Sequence, residues 1–426
     1  MSVFEFTSVS DACIKCGKCI PTCTIHQVNP DEVTSPRGFI ELLGDYQKGE
    51  IELDKTAKDI FESCFLCTNC VDVCPNSLPT DMIIEEVRHD IAQKYGIAWY
   101  KRAFFWLLRN RWAMDLFSKL GYVFKSCVLQ NEPKRRGLLP KFDLPMIKKD
   151  RLLPSMKSKS FLNSYPNRIN KNGKRKVAIF IGCLANYNYT EIGDGLVEIL
   201  KTLDYEIFIP KKQLCCGAPA YFTGDFDTVE YLTKKNIEYF ETFIDEVEAI
   251  VIPEATCSAM IKHDWEVFFT NRGMQEWAQR AKKVNEKIFM ATEWLANHTN
   301  LKELLEQKGK RFEEVVTYHD ACHARKVQGI WKEPRELIGK SFQLVEMEDP
   351  NRCCGFGGVT IQTEKFHLAQ AAGKPKAAMI EKSGAKIVSA ECSACRVQIS
   401  NALYQNGVDA VFKNPIELIA KALKES

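Results

Sequence analysis

The sequence predicts an α+β multidomain protein: a small helical N-terminal module followed by a pseudo-twofold pair of α/β modules with parallel sheets. Three observations predict it. Residues 13 to 74 carry one cysteine spacing twice, flanked by segments of helical period. From about residue 176 onward a second cysteine pattern also occurs twice, each cluster preceded by a short β-rich run, with helical segments between the runs. The two systems are separated by an aromatic amphipathic stretch and a segment rich in Lys, Arg and Pro. The predicted divisions are therefore 1–95, 96–175, 176–312 and 313–426.

The first module is defined by Cys13-x2-Cys16-x2-Cys19-x3-Cys23 and Cys64-x2-Cys67-x2-Cys70-x3-Cys74-Pro75. At this spacing three thiolates of a tight loop grip three irons of a cubane, and the fourth reaches the neighbouring cluster. Cys13, Cys16, Cys19 and Cys74 are thus expected around one [4Fe–4S] cluster, and Cys64, Cys67, Cys70 and Cys23 around the other. A single copy also fits a zinc knuckle; two copies argue against zinc and against a disulfide framework. Thr24 departs from the proline that usually follows the fourth cysteine, and Pro21 stands ahead of it instead. Helices are expected over DKTAKDIFESC and PTDMIIEEVRHDIAQKYG.

Residues 97–126 interleave Trp99, Phe104, Phe105, Trp106, Trp112 and Phe117 with Lys101, Arg102, Arg109 and Arg111. Such a helix fits a membrane interface, a partner, or its own domain's core. Residues 131–176 hold 14 Lys or Arg against Glu132, Asp143 and Asp150, with prolines at 133, 140, 145, 154 and 166. An extended, solvated linker is expected there.

The duplicated half places VAIFIGC, EIFIPKKQLCCG and AIVIPEATC in its first copy, and EVVTYHDAC, FQLVEMEDPNRCCG and KIVSAECSAC in its second. Strands alternating with helices imply a parallel, doubly wound sheet, whose ligands collect beyond the carboxyl ends of the strands. The cysteines fall there. Cys183, Cys215, Cys216 and Cys257 form the first candidate site. Cys322, Cys353, Cys354, Cys392 and Cys395 form the second. Gly217 and Gly355 allow the sharp turn that lets adjacent cysteines both ligate, and Gly355, Gly357 and Gly358 let backbone amides approach the sulfurs. The first copy ends in Cys257-Ser258-Ala259-Met260, so Met260 is expected where the second has a cysteine. Methionine is the weaker ligand. His319 and His323 are expected to fix a loop or bond a sulfur rather than ligate, with Asp320 orienting one of them. Cys127 reads as a packing thiol. His26, His89, His263, His298 and His367 have no constellation around them.

The whole chain has 426 residues, 45% hydrophobic and 27% charged, with a net charge of +3. This is an ordinary globular composition with no basic excess to suggest nucleic acid. Eighteen cysteines without a secretory signal in MSVFEFTSVSDAC point to a reducing cytoplasm and to metal. No run of eighteen apolar residues suggests a span. No GxGxxG follows a strand and opens a helix, so no nicotinamide or flavin site is expected.

The N-terminal module resembles the helical ferredoxin domain of fumarate reductase-type iron–sulfur subunits. The later pattern of a cysteine, CCG and CxxC resembles the cysteine-rich CCG domain. Their order resembles the glycolate oxidase iron–sulfur subunit (SPRGFIELL) and the corresponding iron–sulfur subunit of anaerobic glycerol-3-phosphate dehydrogenase (CIKCGKCIPTCTIHQVNP, IGCLANYN, TYHDACH and ECSACRVQI), with lactate-utilisation proteins as cousins. The resemblance implies two [4Fe–4S] clusters, and one or two further iron–sulfur or zinc centres in the CCG modules. It also implies an electron-transfer subunit without catalytic residues of its own. Such a subunit takes electrons from an FAD-containing dehydrogenase acting on glycolate, lactate or glycerol-3-phosphate. It passes them toward quinone, directly or through an anchor, at the cytoplasmic face of the inner membrane. A heterodisulfide reductase-like protein, reducing a disulfide at a CCG cluster, is the alternative. A cluster-bearing scaffold or iron sensor is the third class.

Overall fold

The structure, a computed structural model, describes residues 4–144 and 147–424. Pro145 of the expected linker lies outside the described residues. The architecture is α+β with parallel sheets, as the sequence predicts, and the chain divides into two compact units.

The first unit contains the residues through Trp106, together with Gly217–Tyr231 and Arg352–Lys376. Among its helices are α1 (Phe6–Asp11), α2 (Pro36–Lys48), α3 (Lys55–Glu62) and α4 (Thr80–Tyr95). Local chemistry sets their ends. The Ser35 hydroxyl accepts from the Gly38 N–H at 3.0 Å, and Pro36 opens the first turn of α2. Gly49 closes α2 at φ 78°. Asp54 caps α3 through the Ala57 N–H at 2.8 Å. Apolar residues at helical spacing, Phe39, Leu43, Phe61, Ile83, Ile84 and Val87, meet in the core. Cys353, Ile361 and Ala372 from far along the chain complete that core. Buried Arg88 ties the pieces together, donating to the Phe61 carbonyl at 3.1 Å, the Cys64 carbonyl at 2.7 Å and the Phe222 carbonyl at 2.8 Å.

The amphipathic stretch forms two helices, α5 (Trp99–Arg109) and α6 (Arg111–Val128), interrupted at Asn110. From Leu107 to Cys216, and again over Leu232–Asn351 and Ala377–Ser426, the chain builds the second unit. Strands β1 (Leu129–Glu132) and β2 (Gly137–Pro140) pair antiparallel. The basic segment is not the solvated linker expected. Leu138, Leu139, Leu152, Phe161 and Leu162 are buried, because five large apolar side chains gain more from leaving water than the intervening lysines gain from extension.

One sheet contains β3 (Arg168–Ile169), β4 (Arg175–Ile179), β5 (Tyr205–Phe208), β6 (Ala249–Ile252) and β7 (Ile288–Met290), in the order β3-β5-β4-β6-β7. The other contains β8 (Val315–Tyr318), β9 (Gln343–Val345), β10 (Ile387–Ser389) and β11 (Val411–Lys413), in the order β9-β8-β10-β11. All pairings are parallel except that of the edge strand β3. The two orders are the same once β3 is set aside. In register, Val177 pairs with Ile207 and Ala249, and Val388 pairs with Thr317 and Phe412. All four residues of β6 are buried, as a strand covered on both faces requires. The six β-rich runs read from the sequence are β4, β5, β6, β8, β9 and β10. The three-residue strands β7 and β11 were not anticipated: no cysteine cluster follows them, as one follows the equally short β9 and β10.

Helices α7 (Thr190–Thr202), α8 (Ala255–Ala259), α9 (Ala291–His298), α10 (Lys332–Gly339), α11 (Ser393–Gln405) and α12 (Pro415–Lys424) surround the sheets. Helix α7 packs against α12, and α9 against α10. Each pair joins a helix of one copy to one of the other, which is the exchange a pseudo-twofold axis produces. Val177, Ile179 and Val251 of the first sheet share a core with Val316, Tyr318 and Ile387 of the second.

Candidate metal centres

All eighteen cysteines are free thiols. In the first unit the two cysteine loops repeat one backbone conformation. Lys15 and Leu66, each two residues past its first cysteine, have φ 54° and 51°. Gly17 and Thr68, each four past, have φ 76° and 57°. Left-handed backbone at lysine, leucine and threonine costs energy and persists where surrounding structure demands it. Here it curls each loop inward. The Leu66 N–H donates to Cys64 Sγ at 3.4 Å.

Cys13, Cys16, Cys19 and Cys74 line one cavity, which Cys70 also borders. Burial pushes the Cys64 thiol up to about 12 and raises Cys23 and Cys70, and Cys67 and Cys64 add like charge to both. Ionisation opposed by burial and by neighbouring thiolates fits a site where bound iron supplies the compensating positive charge. Thr24 now has a physical reason: its hydroxyl lies 3.4 Å from Cys67 Sγ, a hydrogen bond proline cannot make.

In the second unit Cys183, Cys215, Cys216 and Cys257 form one chain of contacts. Cys215 hydrogen-bonds with Cys183 and with Cys216, and Cys216 with Cys257. These bonds and burial hold Cys183 and Cys216 well above the ordinary thiol range. Cys216 donates to Cys257 and lowers it, but burial together with the charges of Glu254, Cys215 and Cys392 leaves Cys257 raised. The turn between β5 and this pair is pinned on both sides. Asn236 accepts from the Leu214 N–H and donates to the Cys215 carbonyl, each at 2.9 Å, and the Trp265 indole donates to the Cys216 carbonyl at 2.9 Å. A Cβ on Gly182 would stand 3.0 Å from Cys257 Sγ, so glycine leaves room for the sulfur. Four converging thiols fit a soft metal or cluster.

In the second copy, Cys392 is the N-cap of α11 and accepts from the Cys395 N–H at 3.5 Å. The Cys395 thiol, then Thr256 at 3.5 Å, lower Cys392 to about 6 against the effect of burial. Cys322 opens the helix Cys322–Gln328 and lies 3.4 Å from His323 Nδ1. His319 Nδ1 bonds the Pro350 carbonyl at 3.2 Å, fixing a loop. Asp320 does not orient either histidine. Its carboxylate pairs with Arg325 and with Arg335, the latter at 2.6 Å, because two guanidinium groups offer a buried carboxylate more than one imidazole does. Cys353 and Cys354 belong to the first unit. There the Gly355 N–H donates to Cys353 Sγ at 3.4 Å, and Gly355 has φ 87°.

Sequence reasoning missed three residues. Glu254 is the N-cap of α8 as Cys392 is of α11, and Cys257 and Cys395 each lie three residues beyond their caps. Local structure therefore matches Glu254 to Cys392, whereas the shared letters Cys-Ser-Ala match Met260 to Cys395. Met260, itself fully buried, sits past α8 in a π turn, Met260–Asp264. Arg88 and Thr256 are the other two; each bonds a cysteine loop from outside the motifs, and no motif announces them. Cys127 is exposed rather than packed, and His89 stacks on Phe226 with ring centroids 4.2 Å apart.

Residues 9–78 match the family described as a 4Fe-4S dicluster domain, and residues 177–262 and 316–400 each match the family described as a cysteine-rich domain. An iron–sulfur protein of Methanococcus maripaludis is 30% identical over 92% of this chain and 67% of its own length. A probable glycolate oxidase iron–sulfur subunit of Bacillus subtilis is 28% identical over 82% of this chain and 79% of its own. The CoM/CoB fumarate reductase of Methanothermobacter marburgensis contributes a relative 25% identical over 99% of this chain and 74% of its own length.

Proposed function

The chain belongs to the family of iron–sulfur proteins that join a 4Fe-4S dicluster domain to two cysteine-rich domains, and on that premise we propose that it is the electron-transfer subunit of a flavin-dependent dehydrogenase complex. It accepts electrons from an FAD-containing partner that oxidises glycolate, lactate or glycerol-3-phosphate, and delivers them toward membrane quinone. Residues 1–95 carry the two cubanes, 96–175 connect, and 176–312 and 313–426 are the paired cysteine-rich modules. Cys13, Cys16, Cys19 and Cys74 hold one [4Fe–4S] cluster, and Cys64, Cys67, Cys70 and Cys23 the other. Cys183, Cys215, Cys216 and Cys257 form the first CCG site, and Cys322, Cys353, Cys354, Cys392 and Cys395 the second. When bound, such clusters supply one-electron transfer at potentials set by their surroundings. The chain's own residues hold the thiols in place, shield them from water, and direct N–H and hydroxyl groups at the sulfurs.

One observation carries this reading: two cysteine loops with the same left-handed positions, in a chain whose cysteines are all free. Iron and acid-labile sulfide counts test it. About eight irons correspond to the two cubanes and about twelve to sixteen to further CCG centres. Cys354→Ser should stop quinone-linked oxidation by the complex while the partner still reduces artificial dyes. A wild-type rate of quinone reduction would take the second CCG site off the path.

The relation to a component of a CoM/CoB fumarate reductase favours a second reading, reduction of a disulfide at the second CCG site by two electrons and two protons. Turnover of disulfides with reduced viologen, in the absence of any flavoprotein, would support it.

A further inference from the structure

Helix α6 is mounted on the second unit by one side and exposes the other to solvent. On the mounted side, Arg111 donates to the Lys211 carbonyl at 2.6 Å, and Asp115 accepts from the Tyr187 hydroxyl at 2.7 Å. Leu108, Arg111 and Met114 border a cavity of about 30 Å³ that is also lined by Cys183 and Cys215. On the outer side Trp112, Leu116, Phe117, Leu120, Val123 and Phe124 are all exposed, Trp112 at 67%, Val123 at 64% and Phe124 at 61%. At 100° per residue these six occupy an arc of about 140° that contains no charged residue. Exposed Cys127 falls within it. Large apolar side chains scattered singly on a surface are ordinary, but a continuous stripe of six is a contact surface.

Charge selects the occupant. From Leu116 to Asn131 the sequence has two lysines, Lys119 and Lys125, and no acid. By helical geometry Lys119 borders the apolar arc, about 20° from Trp112, whereas Lys125 lies toward the mounted side. Lys141, which donates to the Ser126 carbonyl at 2.6 Å, adds a third cation at the C-terminal end, beside exposed Phe142. An aromatic and aliphatic face with cations at its borders matches the boundary between acyl chains and anionic headgroups. No helix among the described residues is long and apolar enough to cross a membrane, so α6 lies along the surface rather than through it.

We propose that α6 docks this protein onto an anionic lipid bilayer by burying its Trp112–Phe124 stripe at the interface. The proposal rests on the quinone-directed reading for its purpose. The helix that meets lipid is the same one that borders Cys183 and Cys215, so docking brings the first CCG site within roughly one helix diameter, about 10 Å, of the surface where a lipid-soluble acceptor resides.

The test uses the full chain, purified anaerobically with its iron, and flotation with vesicles of phosphatidylcholine alone or mixed with phosphatidylglycerol. Wild type should float with the mixed vesicles, and added salt should weaken the association. A Phe117→Ser, Phe124→Ser double variant should keep the cluster absorbance and lose vesicle binding by at least about tenfold. Lys119→Glu with Lys141→Glu should lose the preference for anionic vesicles. The proposal is overturned if wild type does not float, if the serine variant floats equally well, or if those phenylalanines instead govern self-association or flavoprotein binding in the absence of lipid. Vesicle binding without quinone reduction by the complex would refute the functional reading and leave the docking intact. Quinone reduction without vesicle binding would do the reverse.

Discussion

The Ser393 N–H donates to Glu254 Oε2 at 2.8 Å, so the carboxylate capping position of one cysteine-rich copy holds the first turn of the other. The link is reciprocal: the Ala255 N–H donates to the Glu391 carbonyl at 2.7 Å. The two loops that carry Cys257 and Cys392 thus brace each other across the pseudo-twofold axis.

Glu254 tests the brace. Burial first, then the nearby Cys392, push its carboxyl up to about 8, so it is mostly protonated at neutral pH. Glutamine resembles that form. Glu254→Gln should therefore keep the thermal midpoint within a few degrees of wild type. Glu254→Ala should cost about 1–3 kcal/mol, since it leaves the Ser393 N–H buried without its acceptor. Equal losses in the two variants, read by thermal melts of the iron-loaded protein, would mean that the carboxyl contributes through charge instead.

Arg88 should govern iron retention in one loop. Replacing it with methionine leaves the carbonyls of Phe61, Cys64 and Phe222 without its three donors. The expected result of Arg88→Met is a loss of several kcal/mol and of roughly half the cubane iron, from the cluster nearest Cys64. EPR at low temperature would show one [4Fe–4S] signal lost and the other kept.

The left-handed positions make a paired prediction. Thr68→Gly should be neutral or stabilising by up to about 1 kcal/mol, because it relieves the φ of 57° at a β-branched residue. Gly17→Val should destabilise by about 1–2 kcal/mol at the matching position. Chemical denaturation midpoints distinguish the two directions.

Acid should loosen the second unit through Arg396. Its guanidinium, 4% exposed, donates to Glu417 at 2.7 Å and to Glu191 at 3.0 Å. Burial tends to raise Glu191, but Arg396 and Lys157 outweigh it and hold the carboxyl below its usual range. The resulting stability is fully present above the unfolded pKa of about 4.3 and is lost as pH falls through the lower folded value. Glu191→Gln should flatten the fall in urea midpoint over that acidic window. Arg396→Met should cost about 1–3 kcal/mol at neutral pH, since half-buried Glu191 and Glu417 lose their shared guanidinium and keep only Lys157 and Lys413.

Much of the molecule was legible in the letters. Cysteine spacing reports coordination geometry directly, so both loops and both CCG copies stood out. Continuous apolar runs before each cluster announced six of the eight parallel strands. The rest was hidden for identifiable reasons. Met260 attracted attention because Cys-Ser-Ala repeats as text, whereas helix caps, which text does not mark, match Glu254 to Cys392. The basic segment 131–176 read as solvated because lysines outnumber leucines, yet a few buried side chains decide where backbone lies. Arg88, Thr24 and Thr256 act through hydrogen bonds to loops remote in sequence, and such bonds leave no periodic trace.

The first unit takes in Arg352–Lys376, and Cys353, Ile361 and Ala372 fill its core. During synthesis the N-terminal helices therefore wait for about 280 more residues before that core closes. At about 5–20 residues per second this is an interval of roughly 15–60 s. A truncation at residue 95 would leave that core without its late-arriving side chains, so its two cysteine loops should retain iron less well than those of the full chain.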